Sequence, residues 1–413
     1  MIARPTGSVV ATRGQLVEAE LPFARVGDGV RICARDVRVN ARIAALRGAR
    51  AVLAPFGALD GVAGGDRVEA EPAVLALPLG TPLLGRAVDA VGAPLDGRPR
   101  PLGRQFTTDA APLAVGARRP CSAVCWTGVR AIDGPLAIGR GSRIGLFGAP
   151  GAGKSTLLDL IVRGARADAV VVGLIGERGR EAERRLASLD ARSTLVCATG
   201  DRAPAERVRA AEAAFAQAAA LRARGLDVLL VVDSLARVAI AARELALAAG
   251  EPPGRGGYPP SVFGFLARLL ERAGATGSGS VTLIATVLSD GPDERDPVSE
   301  AARAALDGHF VLVERLARAG RFPAIDVAAS ASRTLAEVAA PAHLAAARVL
   351  RSAIAALDES RDARALGLAT ADPFLLRCVA LEPSIEAFLR QGSEPSEPAT
   401  TLTELTRLAD ILT

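Results

Sequence analysis

Along residues 1–80, short apolar runs at 9–11, 29–34 and 51–54 alternate with turn signals such as Gly27-Asp28-Gly29 and Gly64-Gly65-Asp66. Runs this short between Gly and Asp turns predict strands, and a small β-barrel is the economical way to close them. Residues 81–119 are rich in Pro and Gly and read as a connector. From 120 to 340 the pattern changes: apolar runs at 143–147, 169–175, 193–198, 227–232, 281–287 and 310–313 predict strands. Helical stretches separate most of them, and the stretch 204–224 sets Ala and Leu on one face and Arg and Glu on the other. Alternation of this kind predicts a parallel α/β sheet covered on both faces. Beyond 341, apolar residues recur at helical spacing over 343–357 and 402–412, with a polar, Pro-containing loop at 392–401. The expected division is a barrel at 1–80, an α/β core at 81–340 with 81–119 as its connector, and a helical domain at 341–413.

Composition narrows the function classes. Half of the 413 residues are hydrophobic and 23% are charged, which suits a globular chain. Only 3% are aromatic, so the cores are expected to be built from Ala, Leu and Val. A barrel that binds oligonucleotides uses aromatic platforms for the bases. Residues 1–80 hold Phe23 and Phe56 alone, so nucleic acid is not an expected partner. The net charge of +5 permits anionic partners without requiring them. Five scattered cysteines include one close pair, Cys121 and Cys125, with no second pair or nearby His to complete a zinc site. They are expected as free thiols in a reducing cytosol. His309 and His343 also lack metal-ligand spacing. No apolar run approaches the ~20 residues that cross a bilayer. Residues 1–7 lack the apolar core of a signal peptide, so a cytoplasmic chain is expected.

The strongest chemical signal is Gly148-Ala149-Pro150-Gly151-Ala152-Gly153-Lys154-Ser155-Thr156, which fits G-x-x-x-x-G-K-[ST]. A predicted strand precedes it and a predicted helix at 156–163 follows. Glycines let the backbone close around phosphate oxygens, its N–H groups form an anion nest, and the helix N-terminus adds its dipole. Lys154 is expected at the β- and γ-phosphates and the Ser155 hydroxyl on Mg²⁺. Of the 50 Lys and Arg residues, Lys154 is the one lysine. A compact ammonium fits between phosphates where a planar guanidinium fits less well. Asp233 ends the apolar run at 229–232, the arrangement that holds Mg²⁺ opposite the loop. Glu177 follows the run at 169–175, at the carboxyl edge where open α/β sheets bind ligands. A carboxylate there polarises an attacking water; a solvated charged turn is the equal alternative on pattern alone. Among so many arginines, pattern does not single out Arg333.

Taken together, these segments resemble the ATPases of type III protein secretion systems, injectisome and flagellar, which are related to rotary ATP synthase catalytic subunits. The matching stretches include Thr127-Gly128-Val129-Arg130-Ala131-Ile132-Asp133-Gly134, the phosphate loop, 176–181 and 233–237. Gly250-Glu251-Pro252-Pro253, 257–263, Leu306-Asp307-Gly308-His309, 322–333 and 383–389 follow in order. The resemblance implies a RecA-like P-loop core behind a small barrel and ahead of a C-terminal helical domain. It implies ATP and Mg²⁺ as cofactors. It makes Glu177 the catalytic carboxylate, with Arg178 beside it, and Arg333 an arginine finger supplied to a neighbouring subunit. It further implies a homohexamer with stator and central-stalk partners that releases chaperones from exported proteins and unfolds them. Such a ring meets chaperone–cargo complexes at the cytoplasmic face of the inner-membrane export apparatus, held peripherally by its partners.

This chain departs from the family at Ala182-Glu183-Arg184-Arg185, where an apolar and aromatic stretch is usual, and at Gly367-Leu368-Ala369-Thr370, where a Tyr-containing segment is common. The competing readings are a flagellar export ATPase, a rotary ATP synthase or vacuolar-type subunit, a hexameric RNA helicase, and a non-catalytic ring subunit. Gly179-Arg180-Glu181 and the Tyr-Pro-Pro block favour the secretion branch over the rotary one.

Overall fold

The computed structural model describes residues 4–108, 111–288, 296–368 and 371–413. Ala369 and Thr370, part of the second departure noted above, lie outside the described residues. Six strands, β1 (Thr6–Arg13), β2 (Leu16–Glu20), β3 (Gly29–Cys33), β4 (Arg38–Arg47), β5 (Arg50–Pro55) and β6 (Arg67–Ala70), close a barrel in the order β1-β2-β5-β4-β3-β6. The alternation that a strand imposes is plain in β4, which buries Val39, Ala41 and Ile43 at every second position. These pack with Val17, Ile32 and Leu53 to fill the barrel.

The α/β strands follow in chain order: β7 (Arg86–Val88), β8 (Arg143–Gly148), β9 (Ala169–Ile175), β10 (Ser193–Ala198), β11 (Asp227–Asp233), β12 (Ser280–Leu288), β13 (Gly308–Leu312) and β14 (Ile325–Ser332). The principal helices are α1 (Lys154–Gly164), α2 (Gly179–Ala187), α3 (Pro204–Arg222), α4 (Leu235–Ala248), α5 (Pro260–Leu270), α6 (Pro297–Ala305), α7 (Pro341–Glu359), α8 (Pro373–Leu389) and α9 (Pro398–Leu412). The chain forms two compact units, residues 1–112, 169–224 and 232–272 in one and residues 113–168, 225–231 and 273–413 in the other. In the first unit β10 lies between β7 and β9, all parallel. In the second, β8 lies between β12 and β13 in parallel register. Every residue of β9 and β10 is buried, which explains their continuous apolar runs.

Four expectations change. The connector is more than a linker, because Arg86–Val88 adds a parallel edge strand to β10. Three residues are too short for a periodic signal, and the first is an arginine, buried because Asp96 accepts from its Nε at 2.7 Å. That hydrogen bond holds the Asp96 carboxyl down at about 2. The edge strand β14 runs antiparallel to β13. Helix α3 is not one-faced: Arg209, Glu212 and Gln217 are buried along with its alanines. Their polar groups reach the barrel and the connector instead of water. Arg42 donates to Glu212 at 3.1 Å, and the Gln217 side chain accepts from Gly80 N–H at 2.6 Å and donates to its carbonyl at 2.9 Å. Finally, residues 398–401 are the first turn of α9 and not loop, with Pro398 at the helix start, where its missing N–H costs nothing.

A buried carboxylate organises the segment ahead of the phosphate loop. Asp133, 1% exposed, accepts from Thr127 N–H at 2.9 Å, from the Thr127 hydroxyl at 2.7 Å and from Gly128 N–H at 2.8 Å. Burial still pushes its acid up to about 6. Replacing Asp133 by Ala leaves these three donors in the interior. Each orphaned group costs about 1–3 kcal/mol. Asp133→Ala should therefore lose about 3 kcal/mol or more of stability, read from the denaturant midpoint; a shift below about 1 kcal/mol would mean the turn is held by other contacts.

Candidate active site

The phosphate loop belongs to the second unit. Strand β8 buries Ile144, Leu146 and Phe147 completely or nearly so and delivers the chain at Gly148. A side chain at Gly148 would meet the Leu312 carbonyl at 2.8 Å, so the turn out of the strand admits only glycine. Gly151 and Gly153 have φ of 85° and 87°, the left-handed region that side chains disfavour. Gly153 is the N-cap of α1, and no side chain caps that end. Its first N–H groups and the helix dipole suit an anion there. The Lys154 ammonium donates to the carbonyls of Gly148 and Ala149 at 2.5 and 2.7 Å, which places the positive charge over the loop. Ser155 and Thr156 follow in the first helical turn.

The acidic residues belong to the first unit. Glu177 stands two residues past β9 and two before α2. Gly176 carries φ of 72°, and a Cβ there would meet the Arg237 Cβ at 2.9 Å. The close passage of α4 thus sets the turn that presents Glu177. The Arg237 Nε lies 3.5 Å from the Glu177 carboxylate. Asp233, at the end of β11, is 6% exposed. Burial and then the Asp233 charge raise the Glu177 acid above the ordinary carboxylate range, while Arg237 and the Ser234 hydroxyl oppose them. Arg178 is exposed at the N-cap of α2. Within this unit, then, Glu177 and Asp233 come close enough to feel each other's charge.

Arg333 stands apart from the loop. Its backbone N–H donates to the Asp307 carbonyl at 2.9 Å. The Asp307 carboxylate grips Arg143 through backbone N–H and guanidinium at 2.9 and 3.1 Å. Arg333 therefore sits level with the start of β8, and the phosphate loop follows its end. Six strand residues separate those ends by about 17 Å, at ~3.3 Å each, more than an arginine side chain spans.

Sequence reasoning missed three residues near these groups. Arg237 and Ser234 tune Glu177. Phe322, 43% exposed, lies 3.7 Å from where a Gly153 Cβ would stand, so it offers an apolar face beside the loop. Nothing in the pattern marks one phenylalanine among 11; only its place in the block 322–333 was a signal. His309 stands edge-on to Phe147, the strand residue ahead of the loop, with ring centroids 6.3 Å apart. His343 is buried, stacked on Trp126 and bonded through Nε2 to the Gly134 carbonyl at 2.8 Å.

The nucleotide-binding domain of the ATP synthase alpha/beta family matches residues 128–332. The T3SS EscN ATPase C-terminal domain matches residues 339–407. A flagellum-specific ATP synthase of Pseudomonas aeruginosa is 42% identical over 405 residues, spanning 95% of this chain and 90% of the relative. A type 3 secretion system ATPase of Pseudomonas syringae pv. tomato is 41% identical over 425 residues, spanning 99% and 95%. The chain belongs to the family of type III secretion and flagellar export ATPases. The assembled ATPase EscN of the enteropathogenic E. coli type III secretion system superposes with a TM-score of 0.92 at 37% identity, covering 98% of this chain and 100% of that one. The same ATPase in complex with its central stalk EscO superposes at 0.90 over the same shares. As a member of this family the chain is a P-loop ATPase with ATP as its nucleotide.

As the proposed base, Glu177 accepts a proton only when ionised, so ATPase activity should fall as pH drops through its raised pKa. The acid limb should therefore lie above the ordinary glutamate value of about 4.3. Arg237 holds that pKa down, so Arg237→Gln should move the limb to still higher pH. A limb that stays in place or moves down in a steady-state pH profile would refute this electrostatic account.

Proposed function

We propose that this ATPase is the motor of a type III protein secretion apparatus, hydrolysing ATP to release chaperones from exported proteins and unfold them. It works as a homohexamer in which each Arg333 serves the nucleotide of a neighbouring copy. The observation that carries this reading is the separation along β8: Arg333 lies at the strand end opposite the phosphate loop. A finger that cannot reach its own loop is useful only in trans. The resemblance to an ATPase solved in its assembled form and with a central stalk supports an assembly with a stalk partner; a stator partner belongs to the same proposal. Among the described residues no helix is long and apolar enough to cross a membrane. A place at the cytoplasmic face of the inner membrane, held by those partners, belongs to the same proposal. The division at 1–80, 81–340 and 341–413 belongs to the same reading, supported by the barrel ending at Ala70 and α7 beginning at Pro341.

In this mechanism the backbone of 148–153, the α1 N-terminus and Lys154 bind the polyphosphate. Phe322 gives the adenine a stacking face. Ser155 and Asp233 would hold Mg²⁺. A hydroxyl and a carboxylate are the hard oxygen donors that ion takes, and a carboxylate buried as deeply as Asp233 gains from a cation. Bound there, the ion would neutralise charge on the phosphate oxygens. Glu177 orients and deprotonates the attacking water, with Arg178 beside it. Arg333 of the neighbouring copy stabilises charge on the transferred group, an effect worth ~10³–10⁵ in rate.

Arg333→Ala should keep nucleotide binding and lower turnover of the assembled oligomer by about 10³ or more. Mixing it with a Glu177→Gln chain should restore some turnover, because a mixed ring contains interfaces that pair an intact Glu177 with an intact Arg333. Full activity in Arg333→Ala alone, or no recovery on mixing, would remove the trans assignment. Co-purification with needle or with flagellar substrates assigns the apparatus.

A further inference from the structure

The loop between α8 and α9 is a strap on the second unit, and Gln391 is its fastening. Gln391 is 9% exposed. Its backbone N–H donates to the Phe322 carbonyl at 2.7 Å. Its side-chain oxygen accepts from Arg130 N–H at 2.9 Å. Its side-chain nitrogen donates to the Gly128 carbonyl at 2.7 Å and to the Glu394 carbonyl at 2.8 Å. A primary amide has two N–H donors and one carbonyl, and this one uses all three.

The rest of the strap grips the tail of the phosphate-loop helix. Arg163, in the last turn of α1, donates to the Ser393 carbonyl at 2.8 Å. Gly128 and Gly164 meet backbone to backbone under Pro395: a Cβ at either would stand 2.8 Å from the Pro395 Cβ. Ser396 N–H adds a second bond to the Gly128 carbonyl at 2.8 Å. One short segment thus joins the end of α8 to both the aromatic beside the loop and the helix that leaves it.

We propose that Gln391 is a positioning residue for the nucleotide, setting Phe322 against the phosphate loop so that displacement of α8 changes how the base is held. This rests on the reading of Phe322 as the base platform. Gln391 touches neither base nor phosphate; it acts through the Phe322 carbonyl and the clamp on 128–130.

The test separates base from phosphate binding. Gln391→Ala removes the clamp. Gln391→Glu keeps the acceptor for Arg130 and sets a carboxylate against two carbonyls. In the full chain each should weaken ATP binding about tenfold, a loss of about 1.4 kcal/mol, and leave binding of magnesium tripolyphosphate within about twofold. Phe322→Ala should show the same selective loss, and combining it with Gln391→Ala should add little, since coupled residues are not additive. If Phe322→Ala leaves ATP affinity unchanged, the platform reading fails. If Phe322→Ala weakens ATP binding and the Gln391 variants do not, the positioning proposal fails. Equal loss of ATP and tripolyphosphate in the Gln391 variants also overturns it. In the wild-type chain, ATP should slow amide exchange across 390–397 and tripolyphosphate should not; identical exchange with both would overturn the proposal without any substitution.

Discussion

A polyphosphate can be wrapped in backbone N–H groups only where no side chain stands in the way, and the geometry of the second unit answers to that constraint. Gly148 leaves β8 against the Leu312 carbonyl, and Gly151 and Gly153 take left-handed turns before α1 begins. A loop so short of side chains cannot hold itself in place. Its position comes from β8, registered between β12 and β13, and from the packing of Phe147, 1% exposed. Behind it, Asp133 and the strap at 390–397 hold the turn at 127–130 against the tail of α1.

Glu177 meets a different requirement. In the proposed role it must be basic enough to take a proton and still ionised in use. Burial and Asp233 push its pKa up, and Arg237 and Ser234 pull it back. None of these effects is local in sequence: Asp233, Ser234 and Arg237 come from the end of β11 and the start of α4. Gly176 lets that helix come close, and an alanine there would move the carboxylate away from the groups that tune it.

Much of the fold was legible. β9 and β10 are continuous apolar runs because both faces are covered, and their observed limits coincide with those runs. The barrel was legible because its strands alternate between Gly and Asp turns. What escaped was short or contrary to type. The three-residue strand β7 begins with a charged residue. Helix α3 carries arginine and glutamate that are buried because partners from the barrel and connector satisfy them. The opening turn of α9 lies in a polar segment whose residues favour loops, yet Pro398 starts a helix there.

By itself the sequence marked the phosphate loop, its lone lysine and the carboxylate at 233 as candidates, because each depends on residue type within a few positions of chain, while pattern alone left Glu177 level with a solvated turn. The order of family blocks also marked Arg333, which residue pattern alone could not. Only the tertiary structure decided that Arg333 stands a strand's length from its own loop, that Phe322 lies beside Gly153, and that Gln391 ties Phe322 to the end of α8. Those facts arise from contacts between residues far apart in the chain, and such contacts leave no periodicity to read.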